Sequence, residues 1–177
     1  MQLLERVRNY EFLGREFLVW LWYQSDINEG RFSLGEAGHA ELWFDDRVVL
    51  QSNEDSAEKV ICLGEKTHLR EARFALSEYK TVTEATIKLT IGDNAWSFIL
   101  DSTWMNFKSF KAPKVVQDNE EDPEGLFYEK FYLIDQALSA VDMIYASFIK
   151  IRLSPDWATL ELPALLKWIR GGKQKDS

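Results

Sequence analysis

The segment YEFLGREFLVWLWYQS, residues 10–25, decides the fold of this chain. Its apolar side chains recur at the spacing of a helix face: Phe12, Leu13, Phe17, Trp20 and Leu21. Trp22 and Tyr23 extend this apolar surface around the helix axis. Because a helix that is apolar all round must be buried, we predict a short helix enclosed in the core and ending near Ser25.

Downstream of this helix, apolar residues alternate with polar ones, which is typical of strands that have one face in the core. Short polar segments, such as Asp45-Asp46 and Gly92-Asp93-Asn94, have the composition of turns between strands. We therefore predict seven extended segments, at residues 31–34, 39–44, 47–51, 59–63, 82–91, 96–100 and 104–110. Thr67 can cap a helix inserted over residues 68–76.

The C-terminal part predicts two helices joined by a tight turn. Asp122 and Pro123 are a helix N-cap followed by proline at the first helical position, and the pattern continues to about Leu153. The segment Ser154-Pro155-Asp156 ends this helix and starts the last one, over residues 157–170. The two helices should fold back on each other as an αα-hairpin.

The long helix carries an apolar stripe whose members follow at alternating intervals of four and three residues: Phe127, Phe131, Ile134, Leu138, Val141, Tyr145 and Phe148. A second apolar flank lies beside this stripe: Leu126, Leu133, Ala137, Ala140, Ile144 and Ile151. The long helix and the last helix together provide more apolar surface than a small sheet can cover. The last helix contributes Trp157, Leu160, Leu162, Leu165, Leu166 and Trp168. The stripe is therefore either part of the intramolecular core or an interface with a partner, and the sequence leaves both open.

These patterns predict an α+β fold. We expect an antiparallel sheet of about six or seven strands with a short N-terminal helix, one inserted helix and a C-terminal long-helix hairpin. At 177 residues the chain has the size of a single domain, residues 1–177. Its strand-rich part covers residues 10–110, the helical hairpin packed on it covers residues 123–170, and residues 171–177 form a frayed tail.

Composition excludes several classes of protein. Hydrophobic residues make up 46% of the chain and aromatic residues 14%, too many for a disordered protein. The single cysteine, Cys62, excludes a disulfide framework. The longest apolar run, residues 17–23, is too short to span a bilayer, which needs about 20 residues, and charges interrupt the N-terminus where a signal peptide has its apolar region. We expect a cytoplasmic protein without membrane contact.

The charge distribution limits where a nucleic acid could bind. The formal net charge is -8, and residues 1–101 carry 11 basic and 18 acidic side chains, against 10 and 11 in residues 102–177. Clusters of lysine and arginine bind phosphates, so any basic surface that binds nucleic acid must lie in residues 102–177.

The candidate there is a segment in which aromatic and basic residues alternate: Trp104, Phe107, Lys108, Phe110, Lys111 and Lys114. It provides the stacking faces and cations that bind a single strand of nucleic acid. It also has the pattern of an edge strand, with aromatics facing the core and lysines facing water.

Catalytic and metal-binding motifs are weak. The acidic run at residues 118–124 could hold a divalent cation in a metal-dependent enzyme, with Asp118, Glu120, Glu121 and Asp122 as the carboxylates, but it lacks the spacing and the glycine of a calcium loop. Acidic residues before a helix also favour the positive end of its dipole. His39, His68 and Cys62 have no metal-ligand spacing. We predict no catalytic residue, no metal and no cofactor, and favour a non-enzymatic role.

Five runs of the sequence resemble small bacterial proteins associated with the recombination-associated RdgC family: FLGREFLVWLWY (12–23), ELWFDDR (41–47), VTEA (82–85), EDPEG (121–125) and LSPDW (153–157). The resemblance covers roughly residues 10–170. It implies cytoplasmic work in DNA metabolism, since proteins of that family bind DNA as ring-shaped dimers and restrain recombinase activity.

The chain is shorter than a full member of that family, and it is acidic where a DNA-encircling ring is basic. The resemblance therefore implies an accessory of DNA recombination or repair that acts through protein contacts, with an RdgC-like protein or a second copy as partner and at most a weak DNA contact. The alternatives are the metal-dependent enzyme and a structural homo-oligomer.

Overall fold

The computed structural model describes residues 11–52, 58–64, 69–78, 80–115 and 123–171. The described helices are α1 (Glu11–Ile27), α2 (Leu69–Ser77), α3 (Pro123–Arg152) and α4 (Leu162–Arg170). The described strands are β1 (Arg31–Ser33), β2 (His39–Ser52), β3 (Lys59–Leu63), β4 (Lys80–Ile91), β5 (Asn94–Asp101) and β6 (Asn106–Lys111). A 3₁₀ turn at Gly35–Ala37 follows β1, and a π-helical turn at Trp157–Glu161 precedes α4.

The strands form one antiparallel sheet with the order β1-β2-β4-β5-β6, and β3 pairs with the second half of β2. The α+β class, the short N-terminal helix, the inserted helix and the C-terminal helices are thereby confirmed. The sheet has six strands, the lower of the two expected numbers.

The turn predicted at Asp45-Asp46 is wrong. Asp45-Asp46 does not turn the chain; β2 runs on through both residues, with a shift in its register against β4 between Phe44 and Val48. Asp45 forms an ion pair with Lys88 of β4 at 2.9 Å, so the carboxylate fits on the sheet surface. The two segments predicted at 39–44 and 47–51 are therefore one long strand.

Helix α1 is the centre of the core. Every residue from Phe17 to Tyr23 is buried, as its all-round apolar sequence predicts. On one side α1 contacts the sheet, where the Trp22 ring stacks on Phe44 with centroids 5.5 Å apart. It also contacts the C-terminal helices, where Trp22 meets the Trp168 ring of α4 edge-on at 5.5 Å and the Phe17 ring lies 5.5 Å from that of Phe148 on α3. Helix α1 is thus enclosed by the sheet, α3 and α4.

Polar contacts fix the C-terminal helices onto α1. Glu161, in the π-helical turn, accepts hydrogen bonds from the indole nitrogen of Trp20 at 2.7 Å and from the amide of Gln24 at 2.5 Å. Arg152, at the end of α3, forms an ion pair with Glu16 of α1 at 2.6 Å. The turn between α3 and α4 is therefore held at a defined position along α1.

Candidate functional site: the long helix and the edge strand

The C-terminal half of α3 belongs to the core. Of the predicted stripe, Val141 and Phe148 are buried, and Tyr145 is half-buried. The rings of Tyr145 and Phe148 both contact Phe17 of α1, at centroid distances of 5.0 and 5.5 Å. For these three residues the structure shows intramolecular packing.

The N-terminal half of α3 instead presents four exposed aromatic side chains. The exposed fractions are 64% for Phe127, 65% for Tyr128, 61% for Phe131 and 62% for Tyr132. These four residues form what we call the aromatic face. Ile134 and Leu138, at 40% and 36% exposure, continue the apolar surface towards the buried half of the helix.

The helical period explains part of the division of the stripe between surface and core. A strict seven-residue repeat drifts by about 20° per heptad around a straight α-helix. Over the three repeats from Phe127 to Phe148 the drift amounts to roughly 60°, which turns Val141 and Phe148 further towards the buried flank than Phe127 and Phe131. The second flank faces the core more directly, since Leu133, Ala137 and Ile144 within it are all buried.

The predicted nucleic-acid segment does not form a single surface. Phe107 lies opposite the buried Leu100 in the pairing of β5 with β6, and its ring centroid is 4.9 Å from that of the buried Phe98. The Phe110 ring stacks on Phe98 at 5.7 Å. Both aromatic residues therefore lie on the core side of the sheet.

The lysines of the same strand lie on the opposite side. Lys108 is opposite Ile99, and Lys111 is opposite Ser97. Both lysines are exposed. This arrangement of aromatic core residues and outward lysines is that of a protected edge strand. The remaining two members, Trp104 in the turn between β5 and β6 and Lys114 after β6, are also exposed, with Trp104 at 65%.

Lys108 forms ion pairs with two carboxylates. Its Nζ atom is 2.6 Å from Asp101 and 2.7 Å from Glu84, and Glu84 also pairs with Arg47 at 2.9 Å. The hydrogen bonds to Asp101 and Glu84 raise the pKa of Lys108. In return, the Lys108 hydrogen bond, supported by Arg47, lowers the pKa of Glu84. The positive charge of Lys108 is thus balanced within the sheet, which reduces its attraction for a phosphate.

The four carboxylates of the predicted metal site lie outside the part of the chain that the structure describes. Asp118, Glu120, Glu121 and Asp122 all fall in residues 116–122, which are not described. Within the described ranges, no three or more His, Cys, Asp or Glu side chains are grouped so that they could hold a metal ion. The same described part contains no helix that is long and apolar enough to cross a membrane.

Cys62 behaves as an apolar core residue. It lies on β3 and is 8% exposed, and burial raises the pKa of its thiol. A raised pKa keeps the sulfur protonated at neutral pH, which lowers its reactivity.

Sequence reasoning missed half of the aromatic face. The predicted stripe contains Phe127 and Phe131 but neither Tyr128 nor Tyr132. The four residues occupy positions i, i+1, i+4 and i+5 of a helix, and these positions lie next to each other on one side. That spacing of aromatic residues in the sequence is the signal that could have identified the face.

No known protein family matches the chain when it is compared with family models, and no curated protein matches it either.

Proposed function

We propose that this protein is a non-enzymatic accessory of DNA recombination or repair that binds another protein through the aromatic face of α3. One observation carries the protein-binding part: four aromatic side chains, each more than 60% exposed, lie together within the first ten residues of α3. Tyrosine and phenylalanine are enriched in the buried centres of protein interfaces, where they provide much of the binding energy.

The area of this surface supports the proposal. A buried aromatic side chain removes about 150–250 Å² from water, so four rings that are roughly 60% exposed offer about 500 Å² in total. The largest apolar patch on an ordinary monomer is about 300–600 Å², and such patches are often functional. A stable interface buries about 800 Å² on each partner, so the aromatic face could supply more than half of it.

The assignment to DNA recombination rests on the sequence resemblance to proteins associated with the RdgC family, most of all on FLGREFLVWLWY at residues 12–23. The charges favour a role through protein contacts over one through DNA contacts. The chain has a net charge of -8, and Lys108, at the centre of the basic segment, is paired with two carboxylates. The candidate partners are an RdgC-like protein and a second copy of this chain.

A comparative capture experiment tests the proposal. The wild-type chain, the double variant Phe127→Ser/Phe131→Ser and the control variant Phe74→Ser serve as baits in extracts of the native cell. Phe74 is 66% exposed on α2, so the control removes an equally exposed ring from a different helix. We expect the wild type and the control to retain the same protein and the double variant to lose it. Retention by all three baits would overturn the proposal.

Binding to single- and double-stranded DNA, measured over a series of salt concentrations, tests the nucleic-acid part. We expect weak binding that disappears as salt rises, because few phosphate contacts can form. Tight binding at physiological salt would place direct DNA recognition ahead of protein contacts.

A further inference from the structure

The aromatic face is bordered by carboxylates. Glu124 lies one turn before Phe127 and Tyr128 on α3, and Asp135 lies one turn after Phe131 and Tyr132. Both acidic side chains are exposed. Glu129 lies three residues before Tyr132 and is exposed as well. Lys130 is the one basic residue of this half of the helix in the sequence.

The sequence around the face strengthens this imbalance. Residues 123–142, which the structure describes, contain four acidic residues and one basic residue, a net charge of -3. A partner that approaches the aromatic face therefore meets both apolar rings and a negative local field.

We propose that the partner of the aromatic face is a basic protein segment, in which apolar side chains that cover the rings are flanked by lysine and arginine. This inference rests on the proposed function and names the chemistry of the partner at the same surface. Complementary charges around an apolar centre raise the association rate and disfavour partners of the wrong charge.

The same charges disfavour the other occupants of this surface. A second copy of the chain, paired through the same face, would bring the carboxylates of one helix towards those of the other, because a two-fold interface uses the same patch on both subunits. Nucleic acid would bring phosphates towards them. Only a basic partner satisfies the rings and the carboxylates together.

Three synthetic peptides of about 18 residues, a length at which helices begin to be stable, provide the probes. The first has leucine on one helical face and lysine elsewhere. The second has the same leucines with glutamate in place of lysine. The third has the same lysines with serine in place of leucine. Binding of each labelled peptide to the full chain is measured by fluorescence anisotropy, at about 50 mM and about 500 mM NaCl, which changes charge screening strongly.

We expect the leucine–lysine peptide to bind the wild-type chain most tightly of the three. Variants of the rings and variants of the carboxylates should weaken this binding with different salt dependence. Phe127→Ser/Phe131→Ser should weaken it by about tenfold or more, as loss of central aromatic residues does. Glu129→Gln/Asp135→Asn should weaken it at low salt and have little effect at high salt. Phe74→Ser should leave binding unchanged.

Several outcomes would overturn the inference. Equal binding of the lysine–serine peptide would mean that charge alone attracts the probe, and equal binding of the leucine–glutamate peptide would mean that the carboxylates do not select the partner. A wild-type chain that sediments as a dimer, with Phe127→Ser/Phe131→Ser a monomer, would show that a second copy occupies the face.

This test is separable from that of the proposed function. If the capture experiment still depends on Phe127 and Phe131 while the leucine–lysine peptide fails to bind, the face binds a protein but the partner is not basic. If neither depends on these rings, the proposed function itself fails.

Discussion

Replacing Gly14 with alanine should destabilise the protein, although alanine is the better helix former. Gly14 lies on α1 where the helix meets the turn after β5, and a Cβ atom there would be 1.9 Å from the carbonyl oxygen of Ser102 and 2.9 Å from its carbonyl carbon. Close carbon–oxygen contacts in proteins occur at about 3.3–3.6 Å, so the two backbones would have to separate by more than about 1 Å.

The turn cannot move away cheaply. Ser102 is 1% exposed, and its N–H group donates a hydrogen bond of 2.8 Å to the carbonyl oxygen of Thr83 on β4. Moving α1 instead would disturb the buried rings of Phe17 and Trp20, which both contact Phe148 of α3. The steric conflict involves backbone on both sides, and no side-chain rotation relieves it.

The expected magnitude follows from two opposing effects. Alanine gains about 1 kcal/mol over glycine in a helix interior, whereas overpacking a core costs about 1–3 kcal/mol, with backbone movement at the upper end. We expect a net loss of about 1–2 kcal/mol, or a fall in melting temperature of roughly 3–6 °C for a chain of this size.

Urea unfolding followed by tryptophan fluorescence measures this effect. Gly171→Ala is the matched control, since a Cβ atom at Gly171 meets nothing within 4 Å. Its free energy of unfolding should stay within about 0.5 kcal/mol of the wild type. A Gly14→Ala protein as stable as the wild type would refute the close packing of α1 against the Ser102 turn.

Two further predictions concern polar contacts. Glu161→Ala removes the acceptor for Trp20 and Gln24, so we expect the free energy of unfolding in urea to fall by about 1–3 kcal/mol; Glu161→Gln, which keeps one acceptor oxygen, should recover part of it. Because Lys108 lowers the pKa of Glu84 from its ordinary value of 4.5, the stability that their pairing provides is present above that value and is lost as pH falls through the lowered one. Lys108→Ala should therefore lower the free energy of unfolding at pH 7 by no more than about 1 kcal/mol. The gap from the wild type should narrow as pH falls below 4.5 and should close only when Asp101, the second carboxylate on Lys108, is protonated as well, because Lys108 lowers its pKa from the ordinary value of 3.8. A gap that does not change with pH would contradict this pairing.

The fold class could be predicted from the sequence because the helical and the alternating spacings of its apolar residues are easily told apart. The all-round apolar segment of α1 can be stable only inside a protein, and the structure encloses it between the sheet and two helices. The alternating segments after it pair in chain order, apart from the insertion of β3 beside β2. Local patterns were sufficient for the pairs β1–β2, β4–β5 and β5–β6, which short connections join, whereas β2 and β4 pair across the inserted β3 and α2.

The error at Asp45-Asp46 shows where local patterns fail. Two adjacent aspartates favour a turn, but Lys88 of β4 pairs with Asp45, and the N–H group of Gly64 donates to the carbonyl oxygen of Asp46 at 2.8 Å. Both contacts come from residues distant in sequence. These long-range contacts outweigh the local preference for a turn, and a prediction from neighbouring residues alone cannot include them.

The candidate surface on α3 was only partly predictable for a related reason. Both flanks of the helix are apolar in sequence, and nothing local tells which flank meets α1. In the structure, Leu133 and Ile144 of the second flank are buried, whereas Phe127 and Phe131 of the stripe are exposed. The choice depends on how far α1 and the sheet extend along α3, which is a property of the assembled fold.

Photocrosslinking in the native cell tests most directly whether the aromatic face is a binding surface. A photoreactive phenylalanine analogue is placed at position 128 or 132 on the aromatic face, and at position 74 as the exposed control. We expect both positions of the face to crosslink to one protein other than this chain, and position 74 not to crosslink to it. Absence of a crosslink from positions 128 and 132, or the same crosslinked protein from position 74, would contradict the claim that the aromatic face is the binding surface.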